Sequence, residues 1–388
     1  MPVAALTIEQ IPLGDRRLRE FVAFPWRLYR GDPSWTPPLN ADLLGNKLLG
    51  TVGLLIAGHP YHRSASVTHF LARRDGDVVG TVSAAVNDSF NDYHDSRIGF
   101  FGFFETVEDY AVAAALLDAA RAWLTEHGMT VMRGPGQYGN ATHERQGLLV
   151  DGFDHPPTVE LTHNPPYYAD FLERYGLRKT KDYVAYTIEV QQPEDPRMKK
   201  VAAEMRERHH IETRPVALKN WRDEVRQIID IYNDAWAENW GFLPVTQEAA
   251  DMLAASLLPI VDPLLIRFAY VGGQPAAVLG ALPDAYWSLR PRWRWYGDSD
   301  YVRVARLFAQ RRRIPRVRLM FFGIRQAYRR LGIDAVLFDE LMRYGRTKHY
   351  RTCEPSMLLE DNALVIRASA HMGGHEYKRW RIYDMLLN

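Results

Sequence analysis

A single cysteine, Cys353, in 388 residues excludes any disulfide within the chain and any cysteine-based structural zinc site. That scarcity suits a reducing cytoplasm. No apolar run approaches the ~20 residues needed to cross a bilayer. The segment Met1-Pro2-Val3-Ala4-Ala5-Leu6 lacks a basic stretch ahead of an apolar core, so no signal peptide is expected. Charge of one sign is also missing. The 48 Lys and Arg nearly cancel the 47 Asp and Glu, which argues against wholesale polyanion binding. There is no Gly-x-Ser-x-Gly elbow and no Walker loop. His59-Pro60-Tyr61-His62 and His209-His210 lack a third ligand at helical spacing, so no metal is expected. These absences leave a cytoplasmic globular protein without a membrane partner.

What is present is core material. Apolar residues make up 47% of a chain too long for one core, so two domains are expected. The polar, proline-bearing stretch Gln191-Gln192-Pro193-Glu194-Asp195-Pro196 follows a strand pattern and marks the joint. The expected division is 1–190, a linker at 191–198, and 199–388. The halves also match each other. Asn164 and Asn362, Phe70 and Phe268, Gly76 and Gly273 are 198, 198 and 197 residues apart, which points to a tandem repeat. Trp221, Val225, Ile228, Ile229, Tyr232, Ala235 and Trp236 share one helical face, as do Leu116, Leu117, Ala120, Trp123 and Leu124. Both stripes read as core.

The chemistry-bearing stretch is Gly323-Ile324-Arg325-Gln326-Ala327-Tyr328-Arg329-Arg330-Leu331-Gly332-Ile333. A strand over 316–324 runs through a basic loop into an amphipathic helix from about Asp334 to Lys348. The first N–H groups of such a helix are unpaired and converge on one spot, which the dipole makes favourable to an anion. Gly332 lets backbone approach closely, and Arg329 and Arg330 add charge. A strand over 351–358 follows, then a helix opened by Asn362, the pair Gly373-Gly374, and a last strand over 376–387.

That order, with Tyr328-Arg329-Arg330-Leu331-Gly332-Ile333-Asp334, resembles the GNAT acyltransferase superfamily and its acyl-CoA pyrophosphate loop. The resemblance implies an α/β fold of two tandem GNAT-like domains, each a mixed, mostly antiparallel sheet flanked by helices. It implies acetyl-CoA or another acyl-CoA as cosubstrate and a small amine as acceptor. The cofactor positions it marks are Phe322, Gly323 and Ile324 beside the pantetheine arm, Arg329, Arg330, Leu331, Gly332, Ile333 and Asp334 around the pyrophosphate, and Asn362. Two residues depart from the pattern. Asp334 stands where Gly or Ala is usual and could take the helix amides itself. Ser369 stands where many members carry a tyrosine acid.

A base is also required, and Glu354, with Ser356 two residues on and on the same strand face, is the carboxylate candidate. The first half does not repeat the loop: Glu105-Thr106-Val107-Glu108-Asp109-Tyr110 is acidic and lacks glycine, so that half is expected to keep the fold without the cofactor. Gly134-Pro135-Gly136-Gln137-Tyr138-Gly139-Asn140 reads as a turn between strands. The run of arginines from Arg290 to Arg318, Arg294 included, reads as solvated surface, with tRNA as a minor alternative partner. A non-catalytic acyl-CoA-binding protein is the other reading left open.

Overall fold

A computed structural model describes residues 5–139, 145–293 and 298–387. Its strands are β1 (Leu6–Ile11), β2 (Ala65–Arg74), β3 (Asp77–Asn87), β4 (Ile98–Thr106), β5 (Val131–Gly136), β6 (Leu148–Asp151), β7 (Arg178–Glu189), β8 (Ile211–Pro215), β9 (Ile266–Val271), β10 (Gln274–Pro283), β11 (Arg316–Ile324), β12 (Thr352–Pro355), β13 (Leu358–Leu359) and β14 (His375–Leu386). The chain divides into two compact units. The first comprises Met1–Val184, Arg290–Val304 and Lys378–Asn388, and the second Ala185–Leu289 and Ala305–Tyr377.

In the first unit the order is β1-β2-β3-β4-β5, with the end of β14 beside β5 and β6 against β14. Every pairing is antiparallel except β4 with β5. The β2–β3 hairpin turns at Asp75-Gly76, both at positive φ. The helix Tyr110–Glu126 crosses from β4 to β5 and buries Val112, Ala113, Leu116, Leu117, Ala120 and Leu124 against the sheet. Leu116→Ala would cost about 2–5 kcal/mol on that face.

The second unit repeats the plan as β8-β9-β10-β11-β12, with β11 and β12 parallel and the end of β7 beside β12. The helix Ile333–Thr347 makes the same crossover and buries Ile333, Val336, Leu337, Leu341 and Met342. The other expected stripe lies on the helix Trp221–Trp236, which buries Val225, Ile229, Tyr232 and Ala235. The repeat is mixed, mostly antiparallel and flanked by helices in both units.

Each unit's sheet is finished by a strand from the other half of the sequence. β7 starts in the first unit and ends in the second, where Glu189 and Ile188 pair Thr352 and Cys353. β14 does the reverse: Tyr383 and Met385 pair Gly134 and Met132. Trp380, Ile382 and Tyr383 are fully buried in the first unit. The stretch at 191–198 leads directly into the helix Pro196–Arg208, capped by Asp195.

Candidate functional site

Both units carry one device at the centre of the sheet. The parallel partners run together for a few residues and then part, with a bulge in the strand that leads to the helix. In the first unit Thr81 pairs Glu105 while Ser83 pairs Gly102, so Phe103 and Phe104 face one residue of β3, and Phe103 takes a φ of 46°. The β4–β5 ladder ends where Gly102 meets Gly136; a Cβ on Gly102 would lie 1.7 Å from the Gly136 carbonyl oxygen. In the second unit Gly280 pairs Phe321 and Ala281 pairs Leu319, so Met320 is the extra residue, and the β11–β12 ladder ends at Leu319 and Pro355. Beyond these points the two parallel partners no longer pair with each other.

The second unit's loop forms as its residues require. Arg330 and Gly332 have φ of 69° and 71°, and Gly332 is the N-cap of the helix Ile333–Thr347. No side chain caps that helix. Asp334 sits in its first turn and does not take the amides, contrary to the expectation, because the cap falls two residues earlier. Arg329 donates to the Ala235 carbonyl at 2.9 Å and faces Glu238, while Arg330 is exposed. The Gln326 amide is taken by Asp234 at 2.8 Å, and the Trp236 indole N–H donates to the Phe322 carbonyl at 2.9 Å. Trp236 therefore holds one carbonyl of β11. Gly332 is closely packed: a Cβ there would come within 2.4 Å of Met205.

Asn362 caps the helix Ala363–His371 through the Val365 amide, as expected, and Ser369 returns its hydroxyl to the Val365 carbonyl of the same helix. Glu354 is 1% exposed; its carboxylate accepts from Tyr377, and Arg316 faces it. Ser356 accepts from Arg318 at 2.8 Å. Asp284, fully buried, binds Arg316 at 2.6 Å. Burial opposes the Arg316 charge, but Asp284 and Glu354 outweigh it and raise its pKa. The arginine run is not the solvated surface expected of it. Arg303 and Arg318 are fully buried, Arg303 holding the Pro37 and Pro38 carbonyls, while Arg311, Arg312 and Arg313 are exposed. Carbonyls and carboxylates inside the fold, invisible to a composition argument, use that charge. Arg294 and Asn140 lie outside the described residues.

The first unit's parted strands border a cavity of about 140 Å³. Phe103, Glu105, Gly136 and Gln137 line it, together with Trp26 and Trp35. Glu105 Oε2 accepts from the Tyr29 hydroxyl at 2.7 Å and from the Tyr168 hydroxyl at 2.8 Å. Tyr168 is fixed in turn by the Thr106 amide, which donates to its hydroxyl at 2.7 Å. Burial raises the Glu105 pKa to about 7, against the pull of the two phenols. His163 sits on the same wall with its Nε2 3.0 Å from Asp32. Tyr29 stacks on Trp35, which stacks on Trp293, and Trp26 meets Trp35 edge-on. Asn164, at the repeat position of Asn362, bridges the amide and carbonyl of Leu149 and lines the cavity. The helix Tyr167–Tyr175 starts later because Pro165-Pro166 precede it.

No family model matches the chain. Known proteins do. It is 30% identical over 378 residues to the bacterial ceramide synthase of Caulobacter vibrioides, covering 95% of both chains. The chain belongs to the bacterial ceramide synthase family. Protein YghO of Escherichia coli is 29% identical over 388 residues, covering 96% of this chain and 93% of its own. Among solved structures, a tandem GNAT protein from the clavulanic acid biosynthesis pathway covers 99% of both chains at 13% identity and a TM-score of 0.54. The glucosamine N-acetyltransferase region of a fungal multi-domain enzyme covers 98% of this chain at 14% identity and a TM-score of 0.57, the chain spanning 38% of that protein. The fold of this member of the ceramide synthase family is thus the tandem GNAT fold.

Sequence reasoning assigned this family member's Glu105 to an acidic loop at a helix N-terminus. The structure puts it at the end of β4, because the bulge at Phe103 keeps the strand paired to Thr81 and turns Glu105 to the cavity. Asp109 alone caps the helix, through the Ala111 amide, and also pairs Arg74. Pro135 and Gly136, expected in a turn, end β5. The available signals were Tyr29 and Tyr168, buried tyrosines whose hydroxyls need an acceptor.

Proposed function

We propose that this protein is an acyl-CoA-dependent N-acyltransferase that joins a fatty acyl group to the amine of a long-chain base, making a ceramide-type amide. The 30% identity to the bacterial ceramide synthase over 95% of both chains carries the reading. The small amine acceptor and acetyl donor expected from sequence narrow accordingly, to the amino head group of a lipid base and a longer acyl-CoA. Acyl transfer from a thioester needs no resident cofactor: a neutral amine, a polarised carbonyl and a thiolate that can leave suffice.

In this reading the donor's pyrophosphate meets the second unit's loop. The uncapped amides at Gly332, Ile333 and Asp334, with Arg329, Arg330 and Leu331 before them, suit an anion. Backbone of Phe322, Gly323 and Ile324 faces the pantetheine arm, with Asn362 holding the neighbouring helix start. In the first unit, exposed Leu48, Val52 and Ile56 follow Leu43 of the cavity wall, and an apolar surface there suits a lipid substrate. Among the described residues no helix is long and apolar enough to cross a membrane. The test is a product assay with palmitoyl-CoA or acetyl-CoA against sphinganine, octadecylamine and a soluble polyamine. N-palmitoyl-sphinganine as the main product is expected; acetylated polyamine with no long-chain amide would overturn the reading.

A further inference from the structure

A surface helix ordinarily turns its apolar stripe to the core and its charges to water. The helix Asp300–Gln310 does the reverse. Its inner face carries Asp300, Arg303 and Leu307, all buried. Asp300 accepts from the Asn40 and Ala41 amides, and Arg303 holds the Pro37 and Pro38 carbonyls. Its outer face is Tyr301, Val302, Ala305, Phe308 and Ala309, every one exposed. At about 100° per residue, these five fall within roughly a third of the circumference. Tyr301 is 50% and Phe308 46% exposed.

Positive charge follows the stripe without a break. Arg311, Arg312 and Arg313 form the next turn and are exposed. Arg311 lies 5.5 Å from the Phe308 ring, as a cation does when its stem rests on apolar surface. After Asp300 no acidic residue occurs until Asp334. The helix dipole accounts for cations at that end, but not for the apolar stripe. A second element meets the start of the stripe. The tip Lys47-Leu48 is closed by the Asn46–Thr51 bridge, and Leu48 is 80% exposed. Asn46 Oδ1 accepts from the Leu48 amide at 2.9 Å, and Asn46 Nδ2 donates to the Tyr301 hydroxyl at 3.0 Å. One asparagine thus ties Leu48 to Tyr301, and exposed Lys47 adds a cation there.

We propose that this helix docks the protein on the surface of an anionic bilayer. Tyr301, Val302 and Phe308 sit among the acyl chains, with Arg311, Arg312 and Arg313 at the phosphates. The proposal goes beyond the transferase reading and does not depend on it. An exposed apolar stripe calls for a cover. The unbroken positive charge requires that cover to be anionic, and the stripe requires it to have an apolar interior. A bilayer of acidic lipids offers both, whereas RNA offers only the first. Among the described residues no helix is long and apolar enough to cross a membrane, so this one lies along the surface. A search for apolar runs passes over it because Arg303 and Arg306 interrupt the sequence.

The test uses the full chain and vesicles of phosphatidylcholine, alone or mixed equally with phosphatidylglycerol. Cosedimentation should show binding to the mixed vesicles that salt weakens, and little binding to phosphatidylcholine alone. Arg311→Gln, Arg312→Gln and Arg313→Gln together should weaken it about 10²-fold. Val302→Ser with Phe308→Ser should weaken it at least about tenfold, with circular dichroism unchanged. Cys353 is the sole cysteine and is buried, so Phe308→Cys takes a thiol-reactive fluorophore alone. Its emission should shift to the blue on mixed vesicles and be quenched by lipids brominated in their tails. Equal binding by the wild type and either multiple variant overturns the proposal, as does an unshifted label. A label shift that follows protein concentration without vesicles assigns the stripe to a second copy and also overturns it. Retention of tRNA with no retention of vesicles does the same. Amide product without vesicle binding sinks this inference and leaves the transferase reading standing; vesicle binding without product does the reverse.

Discussion

The two units build the same parted strands and then fill the following turn with opposite chemistry. In the second, the turn is Arg329-Arg330-Leu331-Gly332, at positive φ where required, and it leaves the helix head uncapped. In the first, the turn is acidic, Asp109 occupies the helix amides, and Glu105 is drawn into the cavity between two phenols. One scaffold position thus carries a basic turn and an uncapped helix in one unit, and an acidic turn and a capped helix in the other.

The comparison can be broken first at the exchanged strands. Ending the chain after Tyr377 removes Trp380, Ile382 and Tyr383 from the first unit's core. Each costs several kcal/mol, against a total stability of about 5–15 kcal/mol. The expected result is loss of cooperative melting and near-UV circular dichroism from the first unit; an unchanged melting curve would show that the strand exchange is dispensable.

Charge at Glu105 comes next. Its folded pKa of about 7 lies above the ordinary 4.5, so the folded state holds a proton that the unfolded state releases. Stability is therefore lost as pH rises from about 4.5 to about 7, and the loss is complete above that. Glu105→Gln should raise stability at pH 8 by at most about 3 kcal/mol, less to the extent that water in the cavity screens the charge, and by little at pH 4. Urea melts at the two pH values measure this, and equal shifts at both would contradict a buried, titrating carboxyl.

In the second unit, Arg329→Glu with Arg330→Glu should weaken palmitoyl-CoA binding at least tenfold by calorimetry, with circular dichroism unchanged. Gly332→Glu is a poorer probe, since its side chain would strike Met205 and disturb the fold on its own. The smallest effect belongs to Asp334→Ala. Removing a carboxylate from the helix's first turn should tighten acyl-CoA a few-fold, at a cost to the helix of about 0.3–1 kcal/mol. Weaker binding in that variant would mean Asp334 contacts the ligand.

Much of this was legible in the sequence because it rests on local chemistry. The strand at 316–324, the positive-φ glycine before the helix, the Asn362 cap and the two core stripes follow from propensity and spacing, which short windows carry. The register of the repeat was legible too, through hairpin glycines. The strand exchange was not, because β7 and β14 have the same pattern whichever sheet they join. Glu105 was missed for a similar reason: its side chain is aimed by a bulge two residues earlier and by partners at Tyr29 and Tyr168, distant in sequence. The arginine run misled because burial of a cation depends on carbonyls, such as those of Pro37 and Pro38, that composition does not reveal.

The most direct measurement is a product assay with palmitoyl-CoA and sphinganine at pH 8, on the wild type and on the Arg329→Glu, Arg330→Glu variant. The account predicts N-palmitoyl-sphinganine from the wild type and a rate at least about tenfold lower in the variant at subsaturating donor, with circular dichroism unchanged. Equal rates in the two proteins would contradict a donor site at the second unit's loop.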